Sequence, residues 1–172
     1  MSNIYLVGMM GVGKTTIGKK LAKLLSLPFI DTDQELEKRN GVTVAHIFDI
    51  EGEDGFRSRE TRLLEELSEG FSGVVATGGG IVTQSANNEI LESSGSVVYL
   101  KANLGTLWSR LRYCNNRPLL KTANPKQRIA ELLKVRDPLY QAIAHQVVTV
   151  GKGSAFQMAK RIHSSINENT KN

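Results

Sequence analysis

The chain has 172 residues, of which 40% are hydrophobic and 23% are charged, as expected of one globular domain with a buried core. No apolar run approaches 18 residues, which argues against a membrane-spanning helix. The single cysteine excludes an internal disulfide bond and fits a reducing compartment.

The net charge of +5 has two interpretations, a nucleic-acid surface or arginines gathered around a small anionic ligand. Because the lysines and arginines are scattered, we favour the small ligand and expect no nucleic-acid partner. The chain does not start with a basic region followed by a long apolar stretch, so we expect a cytoplasmic protein. We also expect a monomer.

The first predicted elements surround a glycine-rich loop. Residues 4–7 (IYLV) predict a strand, residues 8–15 (GMMGVGKT) match G-x-x-x-x-G-K-[ST], and residues 14–25 have the apolar spacing of a helix. In this context backbone N–H groups and the helix N-terminus bind phosphate. We therefore predict nucleoside-triphosphate binding, with Lys14 on the β/γ-phosphates and Thr15 on Mg²⁺.

Strands and helices then alternate to the end of the chain. Further strands are predicted at 28–30, 74–77, 97–100 and 147–150, and helices at 34–39, 57–68, 88–93, 104–113, 126–144 and 156–166. Ser154 and Gln157 form a capping box for the last helix, and residues 167–172 are expected to be a disordered tail. This order predicts a parallel sheet covered on both faces, with ligands at the carboxyl ends of its strands.

Two aspartates, Asp31 and Asp33, follow the second strand. P-loop enzymes hold Mg²⁺ partly through an acidic residue at a strand end, and the other central strands lack one, so Asp31 is the metal-side candidate, acting through water. Asp33 would point the same way if the chain stays extended, and could orient or deprotonate an acceptor hydroxyl. Alternatively, either residue caps the following helix.

Three consecutive glycines, residues 78–80, end the third strand. They are entropically costly, and we interpret them as a place where a ligand or the γ-phosphate approaches the backbone. A tight turn is the alternative, although one glycine would usually satisfy it.

Three arginines are candidates for binding anions. Arg57 and Glu60 share a helix face, either as a surface ion pair or as a device that aims Arg57 at a substrate carboxylate. Arg117 lies on a polar loop that Pro118 keeps from being helical, and could close over the triphosphate. Arg136 could reach the same pocket or pair with Asp137 at the surface.

Together these motifs resemble the shikimate kinase family. The matching segments, in the family's order and spacing, are residues 8–16, 31–33, 47–48, 52–53, 56–60 (FRSRE), 77–80 (TGGG), 116–120 (NRPLL) and 136–140 (RDPLY). The resemblance covers nearly the whole chain, and its combination of FRxxE with the triple glycine is far more specific than the P-loop alone.

The resemblance implies a single domain over residues 1–172 with the three-layer α/β/α P-loop kinase fold. Its five-stranded parallel sheet would be of the nucleoside-monophosphate-kinase type. It also implies substrate-binding helices at about 33–70 and a lid at about 112–124. The activity would be ATP-dependent phosphorylation of the shikimate 3-hydroxyl, on the route to aromatic amino acids, with Mg²⁺ as cofactor.

Site residues follow from the same resemblance. The catalytic candidates are Asp33, Lys14 and Arg117. ATP would contact Gly11, Val12, Gly13, Lys14, Thr15, Thr16, Arg117 and, by a looser match, Arg110. Shikimate would contact Asp33, Arg57, Gly79, Gly80 and Arg136, with Phe48, Phe56 and Glu60 walling or supporting its pocket.

Other functions fit the sequence less well. A gluconate kinase also handles a hydroxylated carboxylate, but the FRxxE segment and the triple glycine argue against it. A nucleotide-dependent switch would need more than the isolated D-x-x-G match at residues 49–52. A basic nucleic-acid-binding module would leave Asp33 and the triple glycine unexplained.

Overall fold

The computed structural model describes residues 3–113, 118–151 and 153–169, and the side chains of 167–169 are outside the description. Five strands form one parallel sheet in the order β2-β3-β1-β4-β5. The strands are β1 (Asn3–Val7), β2 (Phe29–Asp31), β3 (Val74–Ala76), β4 (Gly95–Lys101) and β5 (Gln146–Thr149). The predicted fold class, a three-layer α/β domain with a five-stranded parallel sheet, is confirmed.

Seven α-helices connect and cover these strands within the described residues. They are α1 (Lys14–Leu25), α2 (Thr32–Asn40), α3 (Val44–Gly70), α4 (Ser85–Ser94), α5 (Leu104–Leu111), α6 (Pro125–Ile143) and α7 (Ala155–Asn169). Short 3₁₀ turns lie at Ile81–Thr83 and Pro118–Leu120. No helix in the described ranges is long and apolar enough to cross a membrane.

The central strand β1 is buried along its whole length, between β3 and β4. In a parallel sheet with helices on both faces, central strands are continuous apolar runs, and this is the pattern of residues 4–7. Tyr5 pairs with Val75 on one side and with Val97 on the other. This register brings the carboxyl ends of β1, β2 and β3 to one edge of the sheet.

Helix α3 begins thirteen residues before the helix predicted at 57–68, at Val44. A kink divides it at Gly52, whose φ of 72° and ψ of −176° are not helical. The kink changes the direction of the apolar face, so the segment before it does not continue the periodicity that identified residues 57–68 as a helix.

The last helix of the chain begins with the predicted capping box but extends further than predicted. The Ser154 amide donates to Gln157 Oε1 at 2.9 Å and the Gln157 amide to Ser154 Oγ at 3.2 Å, which confirms the capping box. Helix α7 packs on α1 and continues to Asn169. Residues 167–169 of the predicted tail are therefore helical, and residues 170–172 lie outside the described part of the chain.

Candidate active site

The glycine-rich loop between β1 and α1 depends on three backbone conformations that favour glycine. Gly8, Gly11 and Gly13 have φ values of 144°, 79° and 104°. A Cβ on Gly8 would also lie 2.6 Å from the Leu100 carbonyl oxygen. Lys14 Nζ folds across the loop and donates to the carbonyls of Gly8 and Met9 at 2.7 and 2.9 Å. The loop therefore has the strand, turn and helix arrangement that cradles phosphates.

Thr15 and Asp31 meet at the carboxyl ends of β1 and β2. Thr15 Oγ1 donates to Asp31 Oδ2 at 2.5 Å, and Asp31 Oδ1 accepts the Gln34 amide of α2 at 3.1 Å. Asp31 is thus both a helix cap and a partner of the P-loop hydroxyl. A hydroxyl and a carboxylate beside a phosphate loop fit the P-loop kind of magnesium site, in which phosphates and water supply the other ligands.

Asp33 points away from Asp31, in contrast to the prediction for an extended chain. Helix α2 begins at Thr32, and a helical turn sends side chains two residues apart in different directions. Asp33 faces the triple glycine, where a Cβ on Gly78 would lie 3.0 Å from Asp33 Oδ1. The two carboxylates therefore have different surroundings, Asp31 beside the P-loop hydroxyl and Asp33 beside the triple glycine.

Arg57 and Glu60 form a buried ion pair and not the surface pair that was the alternative. Arg57 is 5% exposed and Glu60 is fully buried, and Arg57 Nη1 donates to Glu60 Oε2 at 2.7 Å. Burial lowers the pKa of Arg57, but the Glu60 and Glu53 carboxylates outweigh this effect and raise it. Burial raises the pKa of Glu60, and Arg57 opposes that shift.

The triple glycine packs directly on this pair. A Cβ on Gly78 would overlap Glu60 Oε1, and a Cβ on Gly80 would overlap the Arg57 guanidinium. Neither glycine has a positive φ. A Cβ at either glycine would therefore displace the end of the Glu60 or Arg57 side chain from its place in the ion pair. The sequence could not reveal this reason for the two glycines, and it is independent of any ligand.

Arg136 reaches the same cleft from α6 and is only 3% exposed. Burial is the largest influence on its pKa and lowers it. The alternative surface pair with Asp137 is wrong, because Asp137 accepts from Tyr99 Oη and Gln141 Nε2, each at 2.6 Å. Arg136 Nη1 has no hydrogen-bond partner among the residues that the structure describes.

Tyr140 connects Arg136 to the triple glycine. Its ring stacks on Tyr99 with centroids 4.9 Å apart, and its hydroxyl donates to the Gly79 carbonyl oxygen. The sequence marked Tyr140 only as part of the RDPLY segment, and did not indicate that it holds the glycine backbone in place.

The cleft thus combines charged groups with an apolar wall. The Phe48 and Phe56 rings lie 4.7 Å apart, on opposite sides of the α3 kink. The sequence did not single out Met10 and Val44 as wall residues, since any buried apolar residue carries the same signal. The lining residues are Met10, Asp33, Val44, Phe48, Phe56, Arg57, Gly78, Gly79, Gly80, Pro118, Leu119 and Arg136.

The cleft adjoins the phosphate loop. A Cβ on Gly79 would lie 3.1 Å from the Met10 amide nitrogen and 3.5 Å from the Gly8 carbonyl oxygen. A group held in the cleft is therefore close to the loop that cradles phosphates.

A second cavity, of about 330 Å³, is lined by Gly11, Val12 and Gly13 of the P-loop and by Arg110. Arg110 Nη1 donates to the Val12 carbonyl at 2.7 Å, and the exposed Thr16 lines the same cavity. Val150, Gly153, Ala155 and Met158 complete this wall. Arg117, predicted on the lid, lies outside the described residues.

Comparisons with known proteins agree with this geometry. A family model described as shikimate kinase matches residues 10–167. The chain is 49% identical over 160 residues to a shikimate kinase from Nitrosospira multiformis, covering 93% of this chain and 82% of that protein. The structure of a shikimate kinase from Acinetobacter baumannii in complex with shikimate is 47% identical, with a TM-score of 0.95. It covers 98% of this chain and 94% of that chain.

The chain belongs to the shikimate kinase family. Its activity is the ATP-dependent phosphorylation of shikimate. A gluconokinase from Sinorhizobium meliloti is 16% identical with a TM-score of 0.58, over 98% of this chain and 97% of that one, and therefore shares the fold alone. The gluconate kinase alternative is not favoured.

Proposed function

We propose that the cleft between α2, α3 and the triple glycine holds shikimate while its 3-hydroxyl attacks the γ-phosphate of ATP. The observation that carries this proposal is the pair of buried guanidiniums, Arg57 and Arg136, in a cleft that also contains Asp33 and adjoins the P-loop. Two fixed positive charges suit a carboxylate, and a carboxylate beside the phosphate loop suits an acceptor hydroxyl.

On the nucleotide side, the backbone N–H groups of residues 11–16 bind the phosphates, and the cavity beside Arg110 takes the adenine. Lys14 exchanges the Gly8 and Met9 carbonyls for phosphate oxygens. Arg117 closes from the lid and stabilises the charge that develops on the transferred group. Thr15 and, through water, Asp31 would hold Mg²⁺, which would neutralise negative charge on the phosphates.

On the acceptor side, Arg57 and Arg136 orient the substrate by its carboxylate. Gly79 and Gly80 bind the ring substituents through the backbone. Asp33 accepts a hydrogen bond from the reacting hydroxyl, which aims the oxygen at the γ-phosphorus. As the new P–O bond forms, the bond between the γ-phosphorus and the β–γ bridging oxygen breaks and ADP leaves, while the hydroxyl proton passes to the Asp33 carboxylate. We further propose that the protein works as a monomer in the cytoplasm.

A coupled assay of ADP release with Mg-ATP tests the acceptor, with shikimate, gluconate and no acceptor run in parallel. We expect turnover with shikimate alone. Equal rates of ADP release with shikimate, with gluconate and without an acceptor would indicate ATP hydrolysis by water. The roles proposed for the acceptor-side residues would then be wrong, whereas those of the P-loop residues would be unaffected. The position of the new phosphate, read from the phosphorus coupling in the NMR spectrum of the product, tests the 3-hydroxyl.

A further inference from the structure

Arg57 has a second acidic partner whose role differs from that of Glu60. Arg57 Nη2 donates to Glu53 Oε1 at 3.1 Å, through a side chain four residues earlier on α3. Glu60 is fully buried, whereas the Glu53 side chain is 48% exposed. Glu60 is therefore a fixed counter-ion, while Glu53 reaches the guanidinium from the solvent side and can move away from it.

Glu53 also influences the second guanidinium of the cleft. Burial is the main cause that lowers the pKa of Arg136 and Arg57 adds to that effect, whereas the Glu53 carboxylate opposes both. Glu53 is thus placed to affect both arginines that are assigned to the substrate carboxylate. Its own carboxylate has the same charge and the same shape as the group that those arginines are proposed to bind.

The charges of the cleft do not accommodate both carboxylates equally well. Arg57 and Arg136 supply two positive charges, which the carboxylates of Glu60 and Asp33 around the same cleft already match. A substrate carboxylate that bound while Glu53 stayed on Arg57 would therefore add to an excess of negative charge beside buried groups, where it is costly.

We propose that Glu53 is an internal competitor of the substrate, whose carboxylate must leave Arg57 Nη2 for the shikimate carboxylate to bind there. This inference rests on the proposed roles of Arg57 and Arg136. Glu53 therefore sets the affinity for the acid substrate below what the two arginines alone would provide. It also keeps an anion on the buried guanidiniums when another ligand does not supply one.

The test is the dissociation constant of shikimate for Glu53→Gln, measured by titration calorimetry beside the dissociation constant of ATP. An ion pair with one half-exposed partner, taken at the magnitude of surface pairs, corresponds to about a 1.5- to 5-fold change in binding. We expect shikimate to bind more tightly by that factor and ATP to bind as before. Weaker shikimate binding would overturn the proposal, since Glu53 would then be a support for Arg57.

Glu66→Gln is the matched control, because Glu66 is on the same helix, is 47% exposed and pairs with Arg39 instead of Arg57. We expect it to bind both ligands as the parent does. The methyl ester of shikimate, which lacks the carboxylate charge, should not gain affinity from Glu53→Gln. An equal gain for ester and acid would overturn the competition.

Arg57→Ala distinguishes an error in the proposed carboxylate contact of Arg57 from an error in the proposed competition by Glu53. If it leaves shikimate binding unchanged, the carboxylate assignment of the proposed function is wrong and the competition falls with it. If it weakens shikimate binding while Glu53→Gln fails to tighten it, the competition alone is wrong.

Discussion

Arg57 and Arg136 are almost completely buried, although arginine is rarely buried unless it is paired. Arg57 has Glu60 as a fixed counter-ion, whereas Arg136 Nη1 has no hydrogen-bond partner within the described part of the chain. A buried charge without sufficient pairing destabilises a fold, so its retention indicates a function. We infer that these two residues are maintained for an anionic ligand.

Replacing Arg57 by Ala tests whether this residue binds the anionic substrate. Losing a charge-assisted contact should weaken shikimate binding by about 10- to 100-fold and ATP binding by less than about twofold. Because Glu60 would remain buried without its counter-charge, we also expect a loss of about 3–5 kcal/mol in the free energy of unfolding. Titration calorimetry and denaturant unfolding measure the two effects separately.

Arg62→Ala is the control for this substitution, since Arg62 is on the same helix, has an 83% exposed side chain, and does not line the cleft. Equal losses of shikimate and ATP binding in Arg57→Ala would contradict the carboxylate assignment.

Asp33→Asn tests the role of the carboxylate that faces the triple glycine. The substitution keeps the size of the side chain but removes its ability to accept a proton. We expect kcat to fall by about 10²- to 10⁴-fold, with the dissociation constant of ATP nearly unchanged. A kcat close to that of the parent would remove Asp33 from the chemistry. Asp54→Asn, an exposed acid on α3, provides the matched comparison.

Helix α3 builds the acceptor cleft from two segments that meet at Gly52. Phe48 comes from the segment before the kink, and Phe56 and Arg57 from the segment after it. Arg59 bridges the kink, donating to both Glu51 carboxylate oxygens at 2.8 and 2.6 Å and to Asn40 Oδ1, at the end of α2, at 2.7 Å. The relative position of the two walls of the cleft therefore depends on one backbone conformation.

Gly52→Ala should lower the free energy of unfolding because alanine does not readily adopt the backbone conformation of the kink. The φ of 72° with ψ of −176° is a conformation nearly restricted to glycine, and nothing lies within 4 Å of a Cβ placed there. The expected loss is about 1–3 kcal/mol in the free energy of unfolding, with a larger rise in KM for shikimate than for ATP.

Gly70→Ala is the control for the kink. Gly70 is the last residue of the same helix, it does not have a positive φ, and a Cβ there would also meet nothing within 4 Å. We expect it to be neutral or slightly stabilising in urea unfolding. A Gly52→Ala variant as stable as Gly70→Ala would mean that the kink relaxes without cost.

Across the whole molecule, parallel strand order brings distant segments of the chain to one edge of the sheet. The P-loop follows β1, Asp31 ends β2, and the triple glycine follows β3, while α6 contributes Arg136. Asp137 attaches α6 to the sheet through Tyr99 of β4, and Lys101 Nζ lies 3.4 Å from its Oδ1. The position of Arg136 thus depends on a polar link between a helix and the sheet.

This link should be visible in the pH dependence of stability. Burial acts to raise the pKa of Asp137, but the hydrogen bond from Tyr99 and the charge of Lys101 outweigh it and lower the pKa. A carboxyl whose pKa is lower in the folded state stabilises the fold above about pH 4, its unfolded pKa. That contribution is lost as the pH falls through the folded pKa.

Asp137→Asn should therefore cost about 1–3 kcal/mol in the free energy of unfolding near neutral pH. The difference from the parent should shrink steadily below about pH 4, in denaturant titrations performed at a series of pH values. Asp49→Asn, at an exposed position of α3, controls for the loss of one negative charge. A difference that is the same at every pH would exclude the proposed electrostatic origin.

The sequence by itself determined the fold class, the P-loop and the order of strands and helices. These features are encoded locally, since a strand–glycine loop–helix segment or an apolar run carries its own signal. The same is true of the capping box at Ser154. Family motifs then placed Asp33, Arg57 and Arg136 in one site, although they lie far apart in the chain.

Only the tertiary structure decided which of these residues are buried and what they face. Spacing predicts that Arg57 and Glu60 share a helix face, but not that this face is covered by the glycine backbone. Sequence spacing also does not predict that Asp31 and Asp33 contact different groups, or that Glu53 and Glu60 both bond to Arg57. Burial and partner choice depend on contacts between elements distant in sequence, and no local pattern encodes them.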